Sequence, residues 1–244
     1  MKIVISKTAD ELGMKAAAET AQIINAAIAE RGCARIVLST GASQFETLKH
    51  LVKEKVDWSK VEMFHLDEYI NLPDTHPASF RKYLKERFIE PTGVGKVNFV
   101  DGTPEGIAAL TEEIRRAPID VGLIGIGRNS HIAFNDPPAN FDTRDAYLIV
   151  TLDEACRNQQ VGEGWFATFD DVPKQAISMS VWQIMQCKCI ISAVPHAEKA
   201  WAVAATLSSQ LTNQVPATML KTHPDFRLFV DAESFADVSD IVTL

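Results

Sequence analysis

Short apolar runs alternate with helix-length segments along this chain, and that alternation constrains its fold more than any other feature. The runs at 2–5 (KIVI), 35–39 (RIVLS), 61–66 (VEMFHL), 119–126, 187–194 and 226–230 (FRLFV) have strand length and are rich in Val, Ile and Phe. Unbroken apolar runs of this kind suit strands covered on both faces, as in a parallel sheet flanked by helices. Thr8-Ala9-Asp10-Glu11 is a capping box that opens a helix to about Arg31, where Gly32 stops it. Residues 78–89, 104–116 and 195–209 follow the helical pattern, with Phe80, Tyr83, Leu84 and Phe88 expected to face inward. Weaker strand signals fall at 97–100, 146–151 and 174–178. The expectation is an α/β fold: a single doubly wound, mainly parallel sheet with helices on both faces. No linker, repeat or low-complexity run divides residues 1–244, so one domain is expected.

A chain of 244 residues can bury a sizeable core in such a domain. Its net charge of −8 and pI of about 5.3 argue against nucleic acid or an anionic membrane as partner. An anionic ligand would need local positive groups. No apolar run reaches membrane-spanning length, and Met1 to Lys7 lacks the charged-then-apolar order of a secretory signal. Cys187-Lys-Cys189 has no second pair or spaced histidines to complete a metal site, and reads better as one face of a strand. A reduced, cytoplasmic enzyme is the expectation, with self-association into a homo-oligomer left open.

The stretch from Asp120 to Pro138, DVGLIGIGRNSHIAFNDPP, begins as a buried strand and then breaks at Gly125 and Gly127. Ligands of open α/β sheets sit beyond the carboxyl ends of the strands, where this loop falls. His131 and Asp136, five residues apart, can converge there on one small molecule, with Asn129 and Asn135 close by. Gly-x-Gly before a helix would also suit a dinucleotide. However, Ser130 stands where the third glycine is needed, and the motif lies mid-chain.

Two other strand ends carry chemistry. Ser39-Thr40-Gly41-Ala42-Ser43 links a strand to a helix, and its hydroxyls, glycine and free helix amides suit an anion. It is no Walker loop, lacking the lysine and the glycine spacing. Asp67 and Glu68 are adjacent on an extended chain, so only one of them should face a ligand. The polar segment 153–165 reads as a cover over the site, and Lys199 lies in the first turns of a late helix.

In motif order and over nearly its whole length the chain resembles the glucosamine-6-phosphate deaminase (isomerase) family, and more distantly the 6-phosphogluconolactonases. STGAS resembles the family's phosphate loop, Leu66-Asp67-Glu68-Tyr69 its Asp-Glu-Tyr motif, and His131-Ile-Ala-Phe-Asn-Asp-Pro137 its His-Ile-Ala-Phe-Asn-Glu-Pro motif. Glu198-Lys199-Ala200 resembles its phosphate-binding lysine. The resemblance implies deaminating aldose–ketose isomerisation: a proton moves from C2 to C1 through an enolamine, and ammonia leaves the resulting C2 imine. It implies Asp67 as the C2 base and His131 at the ring oxygen, with Asn129 and Asp136 supporting the histidine. Ser39, Thr40, Gly41, Ala42, Ser43 and Lys199 would hold the phosphate. No metal or organic cofactor is implied, and the partner is a small sugar phosphate.

Asn129-Ser130-His131 stands where the well-known deaminases have Asp-Gly-His, and Asp136 is one methylene shorter than the family's glutamate. Asparagine can orient an imidazole but cannot stabilise its cation by charge. Arg157 is the nearest counterpart of the family's phosphate-binding arginine. Another phosphosugar isomerase, a 6-phosphogluconolactonase, and a non-catalytic sugar-phosphate sensor are the competing readings. The first two share the fold, and the sensor would lack a helix-turn-helix extension.

Overall fold

Seven of the expected strands lie parallel in one sheet in the computed structural model, which describes residues 1–162 and 164–238. Across the sheet the order is β1 (Lys2–Ser6), β10 (Phe226–Asp231), β9 (Cys189–Val194), β6 (Val121–Leu123), β2 (Ala34–Leu38), β3 (Val61–His65) and β5 (Lys96–Asn98). Glu163 in the covering segment and residues 239–244 of the expected domain lie outside the described residues.

The sheet's two faces explain why its strands are apolar without alternation. Ile36, Leu38, Met63, Ile191 and Phe229 enter one core, under α1 (Ala9–Arg31) and α2 (Phe45–Leu51). Their neighbours Val37, Phe64, Ile190, Leu228 and Val230 enter the other. That second core is closed by Ile114 of α5 (Gly106–Arg115), by Val181 and Ile184 of α7 (Val181–Ile184), and by Ala202 to Ala204 of α8 (Ala200–Ser208). Each fully buried Leu, Ile or Phe contributes about 1.5–3 kcal/mol, so a one-residue register slip would exchange two faces that are both apolar yet differently shaped.

Local signals start and stop the first helix as expected. Thr8 accepts from the Glu11 amide at 3.2 Å, while the Glu11 carboxylate reaches the Lys7 amide at 2.9 Å. Gly32 ends the helix in the left-handed conformation, at φ 78°. The expected helix over 78–89 is α3 (Phe80–Leu84), a wide π-turn at Lys85–Ile89, then α4 (Glu90–Thr92). Tyr83, Leu84 and Phe88 are buried as expected, whereas Phe80 is half-buried.

Beside the main sheet stands a second one, with order β4 (Asp67–Tyr69), β8 (Gln175–Met179) and β7 (Tyr147–Thr151), all antiparallel. The apolar run 61–66 thus does not simply end at Asp67: the chain leaves the large sheet at Leu66 and pairs again at once. The Met179 amide binds the Leu66 carbonyl at 2.7 Å across that junction. The covering segment is helical over α6 (Glu154–Gly162). Cys187 and Cys189 do not share a strand face. Only Cys189 lies in β9; its side chain enters the core under α1, while Cys187 enters the opposite one.

Candidate active site

Because the seven strands are parallel, the segments that follow β2, β3, β6 and β9 emerge at one end of the sheet. There they enclose a cavity of about 330 Å³ lined by Ser39 to Ser43, Asp67, Gly125 to Arg128, His131 and Lys199. Every phosphate-loop residue singled out in the sequence is present, together with Lys199 and both principal acid–base candidates. Ser39 lines the cavity with its side chain buried.

The two adjacent carboxylates have different surroundings. Asp67 faces the cavity. Burial pushes its carboxyl up to about 8, with the Glu68 charge adding to the effect, the Phe134 amide opposing it and Asp136 raising it further. Glu68 points away and is fully buried. It accepts from Ser79 Oγ at 2.8 Å, from the Arg81 amide at 3.0 Å and from Arg81 Nε at 3.2 Å. Alternation along β4 thus separates a carboxyl in the cavity from one that anchors α3.

His131 is fixed from below. Its Nδ1 lies 2.6 Å from Asn129 Oδ1 and 3.1 Å from Asp136 Oδ1. Asn129 Nδ2 donates to Asp136 Oδ1 at 3.0 Å, so its Oδ1 is the atom turned to the ring. Both neighbours of Nδ1 are acceptors, and the proton therefore sits there, leaving Nε2 for exchange. Burial raises the Asp136 carboxyl, but the bonds from His131 and Asn129 prevail and hold it below the ordinary aspartate range. The ring lies so close to Gly127 that a Cβ there would come within 2.1 Å of His131 Cε1. Ser130 takes φ 66° in this turn, a conformation that costs a side-chain-bearing residue about 1 kcal/mol.

Asn129 and Asp136 support His131 rather than line the cavity themselves. Arg157 is not among the residues that line the cavity. Its Nη2 donates to the carbonyls of Phe169 and Val172 at 2.8 and 3.1 Å, and its guanidinium lies 3.8 Å over the Phe169 ring. Arg128, which the sequence places beside Gly127 without a role, lines the cavity, as do Tyr83, Gln160, Trp165 and Glu198. Adjacency to the Gly-x-Gly break was the one available signal for Arg128. Nothing in the local pattern marks Tyr83 or Gln160, because they come from other elements. Elsewhere, His196, Asp231 and Glu233 come close enough to share a cation, but both Asp231 oxygens already accept amide hydrogens, from His196 and Ser234.

Comparisons with known proteins bear on the family and the fold. Residues 7–228 match the family model described as glucosamine-6-phosphate isomerases/6-phosphogluconolactonase. A glucosamine-6-phosphate deaminase of Thermoanaerobacter pseudethanolicus is 34% identical over 253 residues, spanning 98% of this chain and 96% of that protein. One from Staphylococcus epidermidis is 35% identical over 216 residues, spanning 84% and 87%. The solved structure of a monomeric glucosamine-6-phosphate deaminase superposes with a TM-score of 0.87 at 28% identity, covering 97% of this chain and 100% of that one. A 6-phosphogluconolactonase of Shewanella baltica, at 18% identity and a TM-score of 0.78 over 95% and 97%, shares the fold. By sequence and by architecture, the chain belongs to the glucosamine-6-phosphate isomerase/6-phosphogluconolactonase family.

Proposed function

We propose that this protein is a glucosamine-6-phosphate deaminase: it converts glucosamine 6-phosphate and water to fructose 6-phosphate and ammonia by acid–base catalysis. The observation that carries this reading is Asp67, a buried carboxyl with a pKa of about 8 in the same cavity as an anion loop and a tautomer-fixed histidine. A base that ionises near neutral pH is matched to abstraction of a proton from carbon. Lactone hydrolysis needs no such base, and neither does a sensor.

In the proposed sequence, residues Ser39 to Ser43 and Lys199 hold the phosphate. Nε2 of His131 assists ring opening by moving a proton at the ring oxygen. Asp67 then takes the C2 proton, giving an enolamine, and returns it to C1. Water adds to the resulting C2 imine and ammonia leaves. Asn129 and Asp136 keep the imidazole oriented, with Asp136 supplying the negative charge. Arg128, on the cavity wall, is the arginine we favour for the anion in place of Arg157.

The free cysteines, three of them buried, fit a reducing compartment, and the cytoplasm is the location we assign. The resemblance to a deaminase described as monomeric makes a monomer the expected solution state. The deciding experiment is ammonia release from glucosamine 6-phosphate beside galactosamine 6-phosphate. Turnover of the first with coupled formation of the ketose phosphate is expected; no ammonia from either sugar would overturn the reading.

A further inference from the structure

An anion loop works only if its amides, and not its carbonyls, face the anion. Gly41, in the middle of STGAS, sits at φ 102° and ψ 165°, a region open essentially to glycine alone. Glycine has no side chain with which to hold the direction of its own carbonyl. The carbonyl is held by the turn itself, accepting from the Gln44 amide at 3.1 Å, and from outside the loop by Tyr83 Oη at 2.9 Å.

Tyr83 is itself well held. Its ring stacks on Phe45 with centroids 5.6 Å apart, and the Arg87 guanidinium lies 4.1 Å over Phe45 and 5.3 Å over Tyr83. It sits on α3, whose start is pinned by Glu68 through Ser79 and Arg81. Glu68 directly follows Asp67. One continuous chain of contacts thus runs from the carboxyl in the cavity to the backbone of the anion loop.

We infer that Tyr83 is a positioning residue for the substrate phosphate: its hydroxyl holds the Gly41 carbonyl off the anion so that the loop amides face it. Through α3 and Glu68 it also keeps that loop in register with Asp67. The inference rests on the phosphate-loop reading proposed above.

Tyr83→Phe removes the hydroxyl and leaves the ring to stack, whereas Tyr83→Leu removes both. Loss of one neutral hydrogen bond predicts that Tyr83→Phe raises KM for glucosamine 6-phosphate about 3- to 10-fold, with kcat changed by less than about twofold. Inorganic phosphate, measured both as a competitive inhibitor and by the shift it causes in thermal unfolding, should weaken by the same factor. If Tyr83→Phe binds phosphate like the parent while Tyr83→Leu is impaired, the residue is only a packing partner and the inference is overturned. If the parent protein itself shows no phosphate-dependent shift, the phosphate-loop reading fails and this inference with it. Phosphate binding to the parent without ammonia release would overturn the proposed reaction while leaving Tyr83 testable by the thermal shift.

Discussion

In the proposed mechanism Asp67 is at once costly for folding and useful for chemistry. Its raised pKa means that the folded state keeps a proton which the unfolded chain gives up near the ordinary value of 3.8. Between about 4 and 8 the folded state therefore binds more protons, and stability falls as pH rises through that window. Asp67→Asn should accordingly melt higher than the parent, with a gain that grows from pH 5 to pH 8 and reaches at least about 2 °C, as followed by calorimetry. A constant or negative difference would contradict the raised pKa. The same substitution should lower kcat by about 10²- to 10⁴-fold and abolish solvent-deuterium incorporation into the product. In the parent, kcat/KM should climb with pH toward about 8 as the base ionises; a profile flat from pH 6 to 9 would remove Asp67 from that role.

At the scale of elements, the segment 125–136 is a tight turn that holds a ring against a backbone. The Gly127 amide donates to the His131 carbonyl at 2.9 Å and the Ser130 amide to the Gly127 carbonyl at 3.0 Å, which folds the imidazole over Gly127. A methyl at Gly127 would occupy the place of the ring, so Gly127→Ala should displace His131 by about an ångström while the sheet beneath stays intact. A displacement of that size costs on the order of 10²-fold in rate. The expected result is a large fall in kcat with phosphate inhibition retained; undiminished kcat would show that the ring position does not matter. The string His-Ile-Ala-Phe-Asn was legible as a site in the sequence, but the reason for Gly127 was not. That reason is a contact made by folding back four residues.

For the whole molecule, the sheet has a chemical end and a structural end. At the amino ends of the strands Arg35 Nε pairs with Glu62 at 2.6 Å, and Arg116 and Lys96 reach the same carboxylate at 3.0 and 2.8 Å. Asp120 there accepts the Arg35 amide at 2.9 Å and Lys188 at 3.1 Å, and pairs with Arg31. Burial raises the Glu62 carboxyl, but Lys96, Arg35 and further bonds outweigh it and bring it down to about 2. A depressed carboxylate contributes stability that is present above its unfolded pKa, near 4.5, and lost as pH falls toward 2. Glu62→Gln should therefore lower Tm by about 5 °C at pH 7, a deficit that shrinks below pH 4, with KM and kcat unchanged. An equal deficit at all pH values would mean that packing rather than charge holds this end.

The apolar runs, the caps at Thr8 and Gly32 and the glycine breaks determined the α/β class and most of the strands, because burial on two faces and helix termination are local demands on composition. They also marked STGAS, Asp67 and His131, since strand ends at one edge of a parallel sheet converge whatever lies between them, whereas Lys199 was marked by the family resemblance. That only one of two neighbouring carboxylates enters the cavity followed from alternation along an extended chain; that it is Asp67 was implied by the family resemblance. The second sheet did not follow, because β4 is three residues long and pairs with β8, more than a hundred positions away. Nor did the destination of Arg157, which depends on the carbonyls of Phe169 and Val172, or the place of Tyr83 against Gly41. Such contacts join residues whose separation in sequence carries no periodic signal, and only the packed tertiary structure decides them.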